Sequence, residues 1–185
     1  MSILTNWGSL PEERKLPFTS DRYVKKRNGE YFRAVDIKAP PNLVFRWICQ
    51  MKVAPYSYDK LDNKGNESPR HLIPGTEKLK VGDKMMTIFN VDHFIPGKEV
   101  TLVMDVPPKP YDIFYVPTAI TYRILPARDG SKNHCRVVVK YSAQWKNTLL
   151  GNAEKLFIIF ADFIMMRRQL LNFKQLAERD YMLKN

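Results

Sequence analysis

Two carboxylates three residues apart, Asp59 and Asp62, sit in a segment that also holds Tyr56, Tyr58, Asn63 and Arg70. If that segment is helical, both carboxylates lie on one face. Neighbouring anions repel, so one of them is pushed to keep its proton, and the two can then work as an acid and a base. The plainer alternative is structural: each carboxylate pairs with Arg33, Arg70 or Lys60 and ties the loop down. Arg33 alternates with Val35 and Ile37, so its side chain is expected to point inward with theirs. A buried cation needs a partner, and Asp59 or Asp62 is the expected one, with a ligand carboxylate as the other choice. Asp162 interrupts an apolar run near the C-terminus. At about 100° per residue it falls about 100° from the centre of the apolar stripe, which puts it at a helix flank.

Other chemistry is missing from the sequence. His71, His93 and His134 are the three histidines, and none pairs with another at helical spacing. HExxH, GxSxG, a Walker loop and GxGxxG are all absent, so no metal and no cofactor are expected. Cys49 and Cys135 are far apart and lack a CxxC partner, which reads as two reduced thiols. Cys49, inside an apolar stretch, is expected to be a small buried hydrophobe rather than a nucleophile.

A chain of 185 residues, 44% of them hydrophobic and 12% aromatic, has enough apolar matter for one packed domain with an arm. Its 30 Lys and Arg against 19 Asp and Glu leave a net charge of +11, which invites a nucleic-acid or acidic-lipid reading. The excess is spread along the chain with a bias to the C-terminal third, and no zinc-finger, basic-zipper or RNP1-like pattern accompanies it. A solvated surface is therefore expected, with no nucleic-acid partner. Contact with anionic headgroups is kept as a lesser alternative. The N-terminus has no signal-peptide pattern, and the longest apolar run, Leu156 to Met166, has 11 residues. A bilayer requires about 20, so no stable membrane insertion is expected and the expected location is the cytoplasm.

Several elements must position these groups. Residues 1–28 are polar and aperiodic, an arm packed on a domain of residues 29–185. The first strand is expected over residues 30–37. A short helix follows, with Asn42 as its cap and Leu43–Cys49 as its apolar body. A second short helix is expected to open at Pro55 and run to Leu61. Strands are expected over 83–94, 98–105 and 117–125, with a short one near 111–116. In 135–145, Cys135, Val137, Val139, Tyr141, Ala143 and Trp145 alternate with a mostly polar set, the pattern of a half-buried antiparallel strand. The chain ends in a helix over about 152–182. Leu156, Ile159, Phe160, Phe163, Met166, Leu170, Phe173 and Ala177 keep its 3.6-residue period.

This order of elements resembles the SRPBCC superfamily, the START-like or Bet v 1-like helix-grip fold. The polyketide cyclase/dehydrase and lipid-transport group is its nearest branch. Val35 to Pro41 followed by Val44 to Trp47 looks like the family's first strand running into its first helix. Leu79 to Asp83 looks like the start of its second strand, and Phe94 to Lys98 like its hairpin turn. Ala54 to Asn63, with Gly65, Ser68, Pro69 and Arg70, looks like the signature of a bacterial subgroup. The resemblance covers residues 30–181. It implies an α+β fold in which a curved antiparallel sheet wraps around a long C-terminal helix, with two short helices after the first strand. Some members hold iron through two histidines and a carboxylate, but the helical histidine pair they require is missing here.

A fold of this kind leaves space between sheet and helix, and such spaces bind ligands. The expected function is non-catalytic binding of a hydrophobic small molecule or lipid. Tyr122, Tyr141, Phe160, Phe163 and Met166 are expected to supply apolar contact. Arg33, Tyr56 and His93 are the expected polar anchors, and Trp47 and Tyr58 complete the expected ligand-binding set. One alternative is a cyclase- or dehydratase-like enzyme using Asp59 or Asp62 as acid or base. A basic surface module for acidic lipid or nucleic acid is the other.

Overall fold

A computed structural model describes residues 3–107, 109 and 115–184. A single turn, α1 (Ile3–Asn6), precedes the first strand, β1 (Gly29–Ile37). Two helices follow, α2 (Pro41–Cys49) and the one-turn α3 (Asp59–Asp62). Then come β2 (Lys84–Met85), β3 (Phe89–Ile95), β4 (Glu99–Met104), β5 (Thr118–Pro126) and β6 (Cys135–Ala143). The last element, α4 (Leu149–Met182), has 34 residues and is about 51 Å long. The six strands form one open antiparallel sheet in the order β1-β6-β5-β4-β3-β2, with α4 laid across its inner face. This is the α+β helix-grip architecture.

Local chemistry shifts some boundaries. α2 starts at Pro41 rather than after an Asn42 cap. Pro40 is extended at the cap position, and Pro41 has the fixed φ and absent N–H that suit a first helical turn. The second short helix does not open at Pro55, because Tyr56 sits at φ 59°, in the left-handed region, which a right-handed helix cannot contain. The strand expected over 83–94 is divided into β2 and β3 by Met86 and Thr87, which also have positive φ. The short strand expected near 111–116 lies mostly outside the described residues.

The expectation of a half-buried β6 is corrected by the structure. All nine of its residues are buried, because the outer face of the sheet is covered too. The N-terminal segment supplies the cover. Arg136, on the outer face, donates to Gly8 O at 2.6 Å and to Glu13 Oε2 at 3.0 Å, and also pairs with Asp36 at 3.0 Å. Lys140 lies between Asp21 (2.7 Å) and Glu30 (2.6 Å). The Ser20 amide donates to Thr121 Oγ1 at 2.9 Å. Phe18 packs with Phe32, Ala34 and Val138 as a small second core. Gly8 lies so close to β1, at φ 71°, that a Cβ there would meet Ala34 O at 2.1 Å. Asn6 and Trp7 bridge in parallel to Phe32 and Arg33 on the free edge of β1.

The main core lies between the inner face of the sheet and α4. In the C-terminal half of the helix, Leu170, Phe173, Leu176 and Ala177 are fully buried. The N-terminal half departs from the expected stripe. Ile159 and Met166 are buried, but Leu156, Phe157 and Phe160 are 71%, 73% and 54% exposed. The run from Leu156 to Met166 is apolar nearly all round, so its periodicity does not select one buried face. Among the described residues no helix is long and apolar enough to cross a membrane.

Candidate functional site

Antiparallel pairing aligns the inner-facing side chains of neighbouring strands. Tyr122 of β5 is registered with Val139 of β6 and Val100 of β4, and Phe89 of β3 with Met104 of β4. α4 approaches this face closely near Phe173 but leaves room nearer its N-terminus. There a cavity of about 280 Å³ remains between Phe89, Met104, Ile120 and Tyr122 on the sheet side and Ile158, Ala161 and Met165 on the helix. Met86 and Ile88 bound it on the β2–β3 side, and Pro55, Ser57 and Asp62 close it from the segment around α3.

Gln169 holds these parts together. Its Oε1 accepts from the Tyr122 hydroxyl at 2.7 Å, and its Nε2 donates to Pro55 O at 2.6 Å. Asn172 Nδ2, almost one turn further on, donates to Tyr56 O at 2.8 Å. One face of α4 thereby grips both the sheet and the loop that carries Asp62. Tyr122 and Tyr141 are buried, which pushes both phenols upward, so they remain protonated donors at neutral pH.

The two neighbouring carboxylates behave differently. Asp59 turns to the loop and accepts from the Ser68 amide at 2.9 Å and the Ser68 hydroxyl at 2.5 Å. Asp62 stands on the cavity wall, where it accepts from the Ser57 hydroxyl. Among the described residues its Oδ1 is buried with no hydrogen-bond partner. Burial raises the pKa of Asp62 against the pull of Ser57, and the Asp59 charge pushes the same way as burial.

Arg33 points inward and its side chain is fully buried, but its partner is neither Asp59 nor Asp62. Its Nη2 meets Asp162 Oδ2 at 2.9 Å. The expected pairing fails because α4 runs over the inner face of β1 and brings Asp162 onto the guanidinium, while Asp59 is committed to Ser68 and Asp62 to Ser57. Arg33 also donates to Phe32 O at 2.9 Å, and Phe163 covers its guanidinium at 5.5 Å. Asp162, expected at the helix flank, is a cavity-wall residue. Burial pushes its carboxyl up to about 6, and the Arg33 charge only partly reverses this.

The structure brings together Tyr122, Tyr141 and Met166 of the expected ligand-binding set on the cavity wall. The remaining members lie elsewhere, each for a local reason. Arg33 sits behind Asp162. Phe163 packs on Arg33 and Phe160 faces outward. Trp47 is wholly buried between α2 and α4, with Nε1 donating to Asp180 Oδ2 at 3.1 Å. Tyr56 is buried as well, and its hydroxyl donates to Pro69 O at 2.9 Å and accepts from Gln50. Tyr58 is exposed beside Arg168. His93 follows a bulge in β3 that registers it with Thr101 and turns it to the outer face near Glu99.

Asp162 and Gln169 were not expected at the site. Their seven-residue spacing puts both on one face of α4, beside the apolar Met165, Met166 and Phe173 at helical spacing. That pairing was the available signal. A second depression, about 370 Å³, lies by Asp36, Arg128, Asp129 and His134. Asp36 pairs there with Arg128 and with Arg136, and Asp129 with His134. Among the described residues no group of His, Cys, Asp and Glu is placed to hold a metal ion.

No family model and no curated protein sequence matches the chain. Solved structures do resemble it. A hypothetical protein from Helicobacter pylori superposes with a TM-score of 0.53 at 10% identity, over 88% of this chain and 95% of that one. A protein of unknown function from Staphylococcus aureus gives 0.52 at 12% identity, over 83% and 96%. The di-domain ARO/CYC protein BexL of the BE-7585A biosynthetic pathway gives 0.50 at 15% identity, over 80% of this chain and 46% of BexL. At these identities the likeness is one of fold, and the fold this chain shares with them is a helix-grip sheet closed by a long C-terminal helix.

Proposed function

We propose that the protein binds an apolar small molecule in the cavity between the sheet and α4. The observation that carries this reading is the wall itself: Met86, Met104, Met165 and Met166 surround one space together with Phe89 and Ile120. Unbranched thioether side chains adapt to irregular apolar shapes. The volume of about 280 Å³ is near the lower end of the range for small-molecule sites, about 300–1,000 Å³.

Native mass spectrometry of the purified protein, combined with binding of the neutral fluorophore N-phenyl-1-naphthylamine, tests the proposal. Wild type is expected to carry an apolar adduct or to take up the fluorophore. Ala161→Phe, which fills the space from the helix side, is expected to lose both. Equal uptake by the filled variant would place binding elsewhere and end this reading.

A second reading, acid–base turnover of the bound molecule, rests on Asp62, a cavity-wall carboxylate with a raised pKa. Chemical change of the bound compound by wild type and not by Asp62→Asn supports it. Return of unchanged compound from wild type dismisses it.

A further inference from the structure

The polar side chains of the cavity wall have spent their donor hydrogens within the protein. Ser57 donates to Asp62 and Tyr122 to Gln169. Gln169 Nε2 donates to Pro55 O and lies 3.2 Å from Met86 Sδ. Thr118 gives its hydroxyl hydrogen to Val116 O, so its 3.5 Å contact with Tyr141 is made by the tyrosine hydrogen. The wall is left with acceptor capacity. Among the described residues Asp62 Oδ1 is buried without a partner, and Asp162 faces the same space with one oxygen held by Arg33.

The sign of the charge points the same way. The chain carries 30 Lys and Arg against 19 Asp and Glu, yet among the described residues the wall has two aspartates and no Lys, Arg or His. Arg33 offsets Asp162 from behind, and among the described residues Asp62 makes no ion pair. Asp62 is half-buried, with the Ser57 hydroxyl on one oxygen, and the burial it does undergo raises its pKa. A ligand ammonium would supply both the missing charge and up to three donor hydrogens.

The geometry points to a cavity that selects an apolar molecule bearing a protonated amine, with Asp62 as its counter-ion. This inference rests on the reading that the cavity binds apolar molecules. An anionic amphiphile such as a fatty acid would be drawn to the basic surface but refused by the wall, while a neutral alcohol would bind without charge selection.

Displacement of N-phenyl-1-naphthylamine by octylamine, 1-octanol and octanoate at pH 7 tests the inference, because the three share one chain length and differ only in the head. Octylamine is expected to displace the fluorophore at concentrations at least tenfold below octanol and octanoate. In Asp62→Asn, checked for native circular dichroism, the preference for octylamine over octanol is expected to fall at least fivefold. The wild-type comparison stands alone should that variant misfold. The +11 surface works against the amine, so a preference for it cannot arise from the general field of the protein. Octanoate or octanol displacing as well as octylamine, or an undiminished amine preference in Asp62→Asn, overturns the inference and leaves the binding cavity standing. Failure of the fluorophore to bind wild type overturns both.

Discussion

Arg33 of β1 and Asp162 of α4, 129 positions apart in the chain, meet in a 2.9 Å ion pair beside the cavity. Burial holds the Asp162 carboxyl at about 6, above its ordinary 3.8. The folded protein therefore binds this proton more tightly than the unfolded chain does. The stability it contributes is full below pH 3.8 and is lost as the pH rises through about 6. Arg33→Met keeps the apolar stem and removes the cation that pulls the Asp162 pKa down, so at neutral pH the buried Asp162 loses its partner and is driven to take up a proton. Its unfolding free energy is expected to fall by about 3 kcal/mol at pH 7 and by clearly less at pH 5, where Asp162 is protonated. Urea unfolding at the two pH values measures this, and equal deficits would contradict the assignment.

Asp59 and Asp62 have different surroundings in the structure, the first on Ser68 and the second on the cavity wall. Asp59→Ala removes two hydrogen bonds to Ser68 and is expected to cost about 1–3 kcal/mol while leaving fluorophore affinity within twofold of wild type. Thermal unfolding and fluorophore titration of the same sample check both halves. A large loss of affinity would put Asp59 at the cavity.

The N-terminal segment is held to the sheet by charge. Glu13→Ala leaves the buried Arg136 with Asp36 as its remaining carboxylate partner and is expected to destabilise the protein by about 2 kcal/mol. Trypsin should then cut first among Lys25, Lys26 and Arg27, as the loosened segment opens. Digestion followed by mass spectrometry reads the order of cleavage, and unchanged resistance would mean the segment is held by other contacts.

The outward-facing residues of α4 provide a control on the helix orientation. Phe157→Ser and Phe160→Ser are expected to change the unfolding free energy by no more than about 0.5 kcal/mol. Phe173→Ala, in the fully buried half, is expected to cost about 3–5 kcal/mol. Chemical denaturation of the three variants distinguishes them. A large loss at Phe160 would rotate the helix toward the stripe read from periodicity.

That stripe shows how far local pattern reaches. The alternation in 135–145 locates β6 and identifies Val137, Val139 and Tyr141 as inner residues, because the period of a strand is written in successive side chains. It says nothing of what covers the other face, so Arg136 and Lys140 look solvated until Glu13, Asp21 and Glu30 are brought over them. Likewise, alternation places Arg33 inside but does not name Asp162, since a partner 129 residues away leaves no periodic trace. Tyr56 and Trp47 read as site residues by type, yet a positive φ at the first and an Asp180 partner at the second bind them into the core.

The sequence by itself determined the order of the elements, the helix-grip class, the inner parity of each long strand and the lack of a histidine pair for iron. The element order, the strand parity and the missing histidine pair follow from periodicity, turn residues and residue type, all of which are local, whereas the helix-grip class follows from the resemblance of that order to a known family. Only the tertiary structure decided which face of α4 is covered, that Asp62 and not Asp59 reaches the cavity, and that Asp162 joins it there. Those outcomes depend on where a helix of about 51 Å crosses a twisted sheet, and crossing geometry is set by the sum of all packing contacts rather than by any one stretch of chain.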